Sequence, residues 1–279
     1  MSVNSDWSFE VFPPKDGDLD RFAPVLQRLG ALQPDFISVT RGAGGAGEQI
    51  HERAAALIAL CRAQLSCAVT AHLPCIYLTR AQAKAQLDHL KEDGVNRVLA
   101  LRGDLREDAV GSGDFAHASE LITFIREHYG DYFKIYAACY PEKHQEAASW
   151  ESDIAALLHK VKCGVDTLIS QLFFDNSSFY RFYDELQRHG MSVPVRAGIL
   201  PVDNKKQVER MTSMCGAAIP AALGQLLERY GDDQLSLREA GLDYALHQIE
   251  DLRNQGQRCV HLYTMNKAEV AEKICKAFT

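Results

Sequence analysis

Short apolar or β-branched runs alternate along the chain with longer segments whose apolar residues recur every three or four positions. Eight runs stand out: Ser8–Phe12, Phe36–Thr40, Cys67–Leu73, Arg97–Arg102, Lys134–Tyr140, Thr167–Phe174, Pro194–Leu200 and Cys259–Thr264. Their length and residue types predict buried strands. Between them, Leu19–Leu32, Glu48–Gln64, Arg80–Gly94, Phe115–Tyr129, Ser149–Gly164, Ser177–Gly190, Lys205–Met214 and Leu235–Gly256 carry the spacing of amphipathic helices, and Lys267–Phe278 adds a last one. Gly94, Gly164, Gly190 and Gly256 stand where a helix C-terminus favours a left-handed residue. Thr79 and Asn204 stand where a side-chain oxygen would cap an N-terminus.

Eight strand–helix units in alternation predict parallel strands joined by helical crossovers. Within 279 residues they fit a single α/β domain, residues 1–279, built as a (β/α)8 TIM barrel, better than an open doubly wound sheet. Two helical pieces, near Ile219–Tyr230 and Leu235–Gly256, are extra helices between strands seven and eight.

Composition narrows the partners. A formal net charge of -7 argues against nucleic acid and anionic membrane. The 8 cysteines are scattered without a C-x-x-C pair, which suits reduced thiols in a cytoplasmic protein rather than disulfides or a zinc site. The N-terminus lacks the basic-then-apolar pattern of a secretory signal, and no apolar run is long enough for a membrane span.

In a barrel of this kind the active site lies at the C-terminal ends of the strands. The polar residues there are Glu10 on strand one, Thr40 on two, His72 on three, Arg102 and Asp104 on four, Tyr140 and His144 on five, Gln171 and Asp175 on six, and Tyr263, Thr264 and Asn266 on eight. Read as a strand, the fourth run places Arg102 and Asp104 on one face. Strand seven is apolar, followed by Asp203 and Asn204. Asp175, before Asn176 and two serines, reads as a helix N-cap. Glu10 lies between Phe9 and Val11, where an unpaired buried carboxylate is costly, so it reads as a catalytic acid. Gly42 to Gly47 matches G-x-G-x-x-G, but the next strand ends without the Asp or Glu that would take a ribose hydroxyl. A glycine loop over the barrel mouth is the better reading. No metal site is expected, since the histidines and cysteines lack ligand spacing.

The motifs Ser8-Phe9-Glu10-Val11-Phe12-Pro13-Pro14, Phe36-Ile37-Ser38-Val39-Thr40, Ala71-His72-Leu73, Arg102-Gly103-Asp104, Tyr140-Pro141-Glu142-x-His144, Gln171-Leu172-Phe173-Phe174-Asp175, Gly198-Ile199-Leu200-Pro201-Val202 and Tyr263-Thr264-Met265-Asn266 occur in this order. Together they make the chain resemble the methylenetetrahydrofolate reductase family over nearly its whole length. The chain resembles the short bacterial form, without the C-terminal regulatory domain of the eukaryotic enzymes. The resemblance implies a barrel holding FAD, with NADH or NADPH as electron donor. It implies reduction of 5,10-methylenetetrahydrofolate to 5-methyltetrahydrofolate for methionine synthesis, and a homo-oligomer is expected.

The resemblance also assigns residues. Glu10 matches the general acid that assists opening of the folate's five-membered ring. Asp104 matches a carboxylate beside flavin and folate, and Gln171 a residue shared by folate and nicotinamide. Gln207 and Lys267 match folate contacts. Thr40, His72, Arg102, Gly103, His117, Ala118, Tyr140, His144, Ala147, Asp153 and Lys160 fall on flavin- or nucleotide-contacting positions, Arg102 and Lys160 bringing the positive charge that a pyrophosphate needs. The chain departs from the family at several points. Arg41 and His117 stand where relatives often have Tyr, and Pro74 replaces a Thr. Ala156 and His159 replace polar and basic residues facing the FAD phosphates. Met211 stands where relatives carry an aromatic ring, and Lys267 replaces an Arg. Two other readings compete: a different flavin-dependent barrel oxidoreductase, such as a proline-dehydrogenase-like enzyme, and a folate- or flavin-binding subunit that needs a partner protein.

Overall fold

In the computed structural model, which describes residues 6–41, 48–105 and 113–278, eight parallel strands close into a barrel in the order in which they occur. The strands are β1 (Trp7–Val11), β2 (Phe36–Val39), β3 (Ala68–Pro74), β4 (Arg97–Leu101), β5 (Lys134–Cys139), β6 (Thr167–Ser170), β7 (Val195–Ile199) and β8 (Val260–Tyr263). The crossovers are α1 (Leu19–Ala31), α2 (Glu48–Gln64), α3 (Arg80–Glu92), α4 (Ala118–Tyr129), α5 (Trp150–Lys162) and α6 (Asn176–Arg188). Between β7 and β8 lie α7 (Lys205–Cys215), α8 (Ala221–Tyr230) and α9 (Gln234–Asn254), and α10 (Ala268–Ala277) follows β8. The expected (β/α)8 barrel with extra helices between strands seven and eight is what forms.

The helix ends follow local chemistry. Thr79 accepts from the Gln82 backbone N–H, and Gln82 reaches back to the Thr79 backbone, giving α3 a capping box. Asn204 accepts from Gln207 N at the start of α7, and Asp175 from Ser177 N at the start of α6. Gly94, Gly164, Gly190 and Gly256 all take positive φ just past helix ends.

Strand alternation splits the side chains into two sets. Phe9, Val11, Ile37, Val39, Val69 and Ala71 belong to the large cluster packed under the helices. The other parity fills the barrel and is unusually polar: Ser8, Ser38, Thr70, Arg196 and His261 are all buried. An apolar layer of Phe36, Leu99, Tyr136 and Ile169 lies among them.

The N-terminal end of the barrel is closed by ions and rings. Asp35 accepts from Arg97 Nη1 at 3.1 Å and from Arg196 Nη2 at 2.5 Å. Arg97 also donates to the Tyr136 hydroxyl at 3.1 Å. The guanidinium carbons of Arg196 and Arg97 lie 5.1 and 5.9 Å from the Phe36 ring centroid.

Strand six is shorter than the apolar run suggests. It ends at Ser170, not Phe174. Leu172 and Phe174 continue into a separate buried cluster with Leu200, Val202, Val208 and the α8 and α9 leucines. The helices inserted after β7 bury this loop, so its sequence stays apolar after the strand ends. At the neighbouring position on β7 only glycine fits. A Cβ on Gly198 would stand 2.1 Å from Ser170 O and 2.9 Å from the Tyr263 ring.

None of the eight cysteines is in a disulfide, and Cys61, Cys75, Cys139 and Cys275 are buried. No helix among the described residues is long and apolar enough to cross a membrane.

Candidate active site

The C-terminal end of the barrel opens into a cavity of about 870 Å³. That is toward the upper end of the range of roughly 300–1,000 Å³ usual for small-molecule and cofactor sites. Glu10, Thr40, His72, Arg102, Gly103, Asp104, Tyr140, His144 and Gln171 all line it. These residues come from six different strands or the turns that follow them, so the barrel's closure is what brings them together.

Glu10 is not the unpaired buried carboxylate that its flanking residues suggest. Its side chain keeps 22% exposure on the cavity wall. Its Oε2 lies 3.7 Å from His72 Nε2 and 4.0 Å from His261 Nε2. Both imidazole Nε2 atoms are buried without a hydrogen-bond partner. His261 Nδ1 is 2.8 Å from Ser8 Oγ, and Ser8 in turn lies 3.3 Å from Val260 O. Burial pushes His72 down to about 4 and lowers His261 as well. Glu10 thus sits between two neutral imidazoles, with no cation among these neighbours.

The backbone under Glu10 is clamped from β8. Thr264 Oγ1 donates to Glu10 O at 2.6 Å. Asn266 accepts from Phe12 N at 3.0 Å and donates to Phe12 O at 2.8 Å. Thr264 and Asn266, which read as polar strand tips, fasten the end of β1. Tyr263, by contrast, lines the cavity and donates its hydroxyl proton to Ser170 O at 2.8 Å.

His72 carries a testable consequence. Unfolded, its imidazole takes up a proton below its ordinary 6.5, and in the fold only near 4. The unfolded chain therefore binds more protons in that window. The fold is expected to lose about 3 kcal/mol as pH falls from 6.5 to 4 from this group alone. Urea unfolding across that range checks it. His72→Gln should flatten the slope there and leave stability at pH 8 less pH-sensitive than the wild type is at pH 5.

Arg102 and Asp104 reach the same cavity, but not through strand alternation, because β4 stops at Leu101. Gly103 turns the chain with φ +89°, and a Cβ there would come within 3.0 Å of Pro74 Cβ. Asp104 stands exposed at the rim. Both arms of the Arg102 guanidinium engage Glu146, Nη2 at 2.8 Å from Oε1 and Nη1 closer still to Oε2. This pair holds the Arg102 pKa above and the Glu146 pKa below the ordinary values.

Of the other expected residues, Lys160, Asp153, Ala147, His117, Ala118, Gln207 and Lys267 lie off the cavity wall. Lys160 is half-buried and donates to Ala138 O at 2.8 Å, and desolvation lowers its pKa. Asp153 accepts from His144 N at 2.9 Å. Ala147 O receives Lys143 Nζ at 2.5 Å. His117 and Ala118 form the N-terminal end of α4, His117 making no side-chain cap bond. Gln207 Nε2 is 3.9 Å from Met211 Sδ, and Met211 does line the cavity. Lys267 is paired with Asp203. Gln171 Oε1 accepts from Leu172 N at 2.9 Å, which orients its amide at the cavity wall. The glycine run Gly42–Gly47 lies outside the described residues. His261 was not singled out from the sequence. Its signal was parity with Tyr263 on the last strand, the same alternation that marks Ser8 and Glu10 on the first.

Comparison with known proteins places these features in context. The family model described as "Methylenetetrahydrofolate reductase" matches residues 2–279. The chain is 35% identical over 270 residues to "5,10-methylenetetrahydrofolate reductase" of Escherichia coli (strain K12), covering 96% of this chain and 88% of that protein. It is 33% identical over 275 residues to "Methylenetetrahydrofolate reductase (NADH) 1" of Arabidopsis thaliana, covering 93% of this chain and 46% of that longer protein. Among solved structures, a Clostridium thermocellum protein described as binding two copies of 5-methyl-5,6,7,8-tetrahydrofolic acid superposes with TM-score 0.62. At 14% identity over 98% of this chain and 96% of that one, it attests the fold.

Proposed function

The chain belongs to the methylenetetrahydrofolate reductase family, and we propose that it reduces 5,10-methylenetetrahydrofolate to 5-methyltetrahydrofolate with NADH or NADPH as donor and FAD as resident cofactor, residues 1–279 acting as one catalytic domain. The observation that carries this reading is the placement of Glu10. A carboxyl group stands on the wall of a large cavity, flanked by neutral imidazoles, with Gln171 and Asp104 on the same cavity.

The residues present fit a flavin. Gly103 leaves bare backbone at the rim, where a Cβ would crowd Pro74. His72 Nε2 is buried without a partner on the cavity wall. Arg102 brings a guanidinium to the same cavity, and Lys160 donates to the backbone oxygen of Ala138, which also lines it. Arg102, Gly103, His72, Tyr140 and His144 would hold FAD, which when bound supplies a two-electron carrier between nicotinamide and folate.

This chain's own groups supply the rest. Glu10 gives a proton to the folate nitrogen that releases the one-carbon unit. Asp104 at the rim favours positive charge on a ligand lying against it. Gln171 offers an amide held in place by its bond from Leu172 N. Tyr263 keeps its proton, since burial raises it well above the ordinary tyrosine value, so it acts as a hydrogen-bond donor and not as a base.

The test is a pair of anaerobic half-reactions on the purified protein, which should be yellow. NADH or NADPH should bleach the flavin, and 5,10-methylenetetrahydrofolate should restore the colour. If some other donor bleaches it and the folate does not reoxidise it, the chain is a different flavin-dependent oxidoreductase.

A further inference from the structure

Arg41 follows Thr40 just past β2 and lines a part of the cavity to which no role has been assigned. Its Nη2 donates to Gln86 Oε1 on α3 at 2.7 Å. His51, Gln82 and Gln86 line the same cavity, and His51 and Gln86 also share the smaller cavity behind with Arg41. Among the described residues no carboxylate pairs with the Arg41 guanidinium. Asp93, nearby on the small cavity behind, is 3.5 Å from His89 instead. Burial pushes Arg41 down to about 10, which leaves it charged at neutral pH, and burial and the Arg41 charge together lower His51.

A half-buried cation whose partner is a neutral amide has lost part of its hydration without a counter-charge. A guanidinium retains unused donors in a planar fork that matches carboxylate and phosphate oxygens. Here the fork meets a cavity large enough for an extended ligand.

We propose that Arg41, supported by Gln86 and His51, is an oxyanion subsite that binds a carboxylate or phosphate of a ligand occupying this cavity. The proposal rests on the reading above and deepens it, because every ligand of that reaction carries such a group. Folate carries glutamate carboxylates, while the nicotinamide donor and FAD carry phosphates.

The experiment compares wild-type holoenzyme with Arg41→Gln and Arg41→Lys by isothermal titration. Two probes are used: p-aminobenzoylglutamate for the carboxylate source and 2′,5′-ADP for the phosphate source. Flavin content is read from absorbance. Arg41→Gln should weaken one probe about tenfold or more, or lower flavin content correspondingly, with Arg41→Lys in between. Whichever quantity moves identifies the source of the oxyanion. If Arg41→Gln matches wild type within about twofold in both probe affinities and in flavin content, no ligand oxyanion meets Arg41. Binding is read directly, so a chain without folate reductase activity would still report on the subsite. Near-wild-type Arg41→Lys values also separate a lost contact from a misfolded variant.

Discussion

Replacing Glu10 with Gln is expected to lower reduction of 5,10-methylenetetrahydrofolate on the order of 10²–10⁴-fold, the range for loss of a positioned general acid. Reduction of the bound flavin by the nicotinamide donor should persist. The substitution preserves volume and one acceptor oxygen, replaces the other oxygen with an NH2 donor, and removes the ionisable acid. Its position should hold, because Thr264 Oγ1 fixes the residue's carbonyl at 2.6 Å and Asn266 brackets Phe12. His72 and His261 are 3.7 and 4.0 Å from the carboxylate, but burial keeps both imidazoles neutral, so neither brings a ready proton of its own. Anaerobic stopped-flow traces of the two half-reactions check this. A Glu10→Gln enzyme with a wild-type folate half-reaction would end the assignment of Glu10 as the acid.

Glu10 was legible because a carboxylate inside an apolar strand is an anomaly that needs a physical reason. Its neighbours were less legible. His261 sits two residues before the last strand's tip, and a search restricted to tips passes over it. The groups that surround Glu10 depend on which strands the closed barrel sets side by side, here β8 beside β1 with Glu10 opposite Tyr263. Gln207 and Lys267 were assigned through the family resemblance alone. In the structure they contact Met211 and Asp203, respectively. Arg41 could be located from the sequence, but its partner Gln86, 45 residues away, could not.

Fold-level information was denser, since strand and helix periods repeat in every unit. The one substantial overrun, on β6, has a physical cause. Leu172, Phe173 and Phe174 are as buried as any strand residue, but the inserted helices and the main core bury them, not the sheet. Burial alone does not distinguish a strand from a covered loop. The apolar C-terminal half of β7, beyond the charged Arg196, has a similar explanation: Gly198 carries no side chain because Tyr263 occupies that space while bonding to Ser170 O.

The largest loss of stability is expected at the opposite end of the barrel, from Asp35→Asn. Asp35 is only 10% exposed and is the carboxylate paired with both Arg97 and Arg196, whose side chains are 20% and 7% exposed. Arg196 also packs over Phe36, and Arg97 contacts the Tyr136 hydroxyl, so neither side chain is free to swing out into water without opening the aromatic layer. Asn fills nearly the same volume but removes the only negative charge in this group, leaving two cations beside each other. Breaking a buried pair in this way costs about 3–5 kcal/mol, because the remaining charge is left uncompensated. In a chain of this size that corresponds to a fall in Tm of roughly 6–20 °C. Calorimetry of the wild type and Asp35→Asn would measure it, with Asp35→Glu as a control that restores the charge. The cavity end provides an internal check of the proposed function. Glu10 and the cavity lie at the other mouth of the barrel, so at temperatures where Asp35→Asn remains folded its flavin and folate half-reactions should be unchanged. A Tm within 2 °C of wild type, about the shift from 1 kcal/mol, would mean that the Arg97–Asp35–Arg196 cluster adds little to closing the barrel.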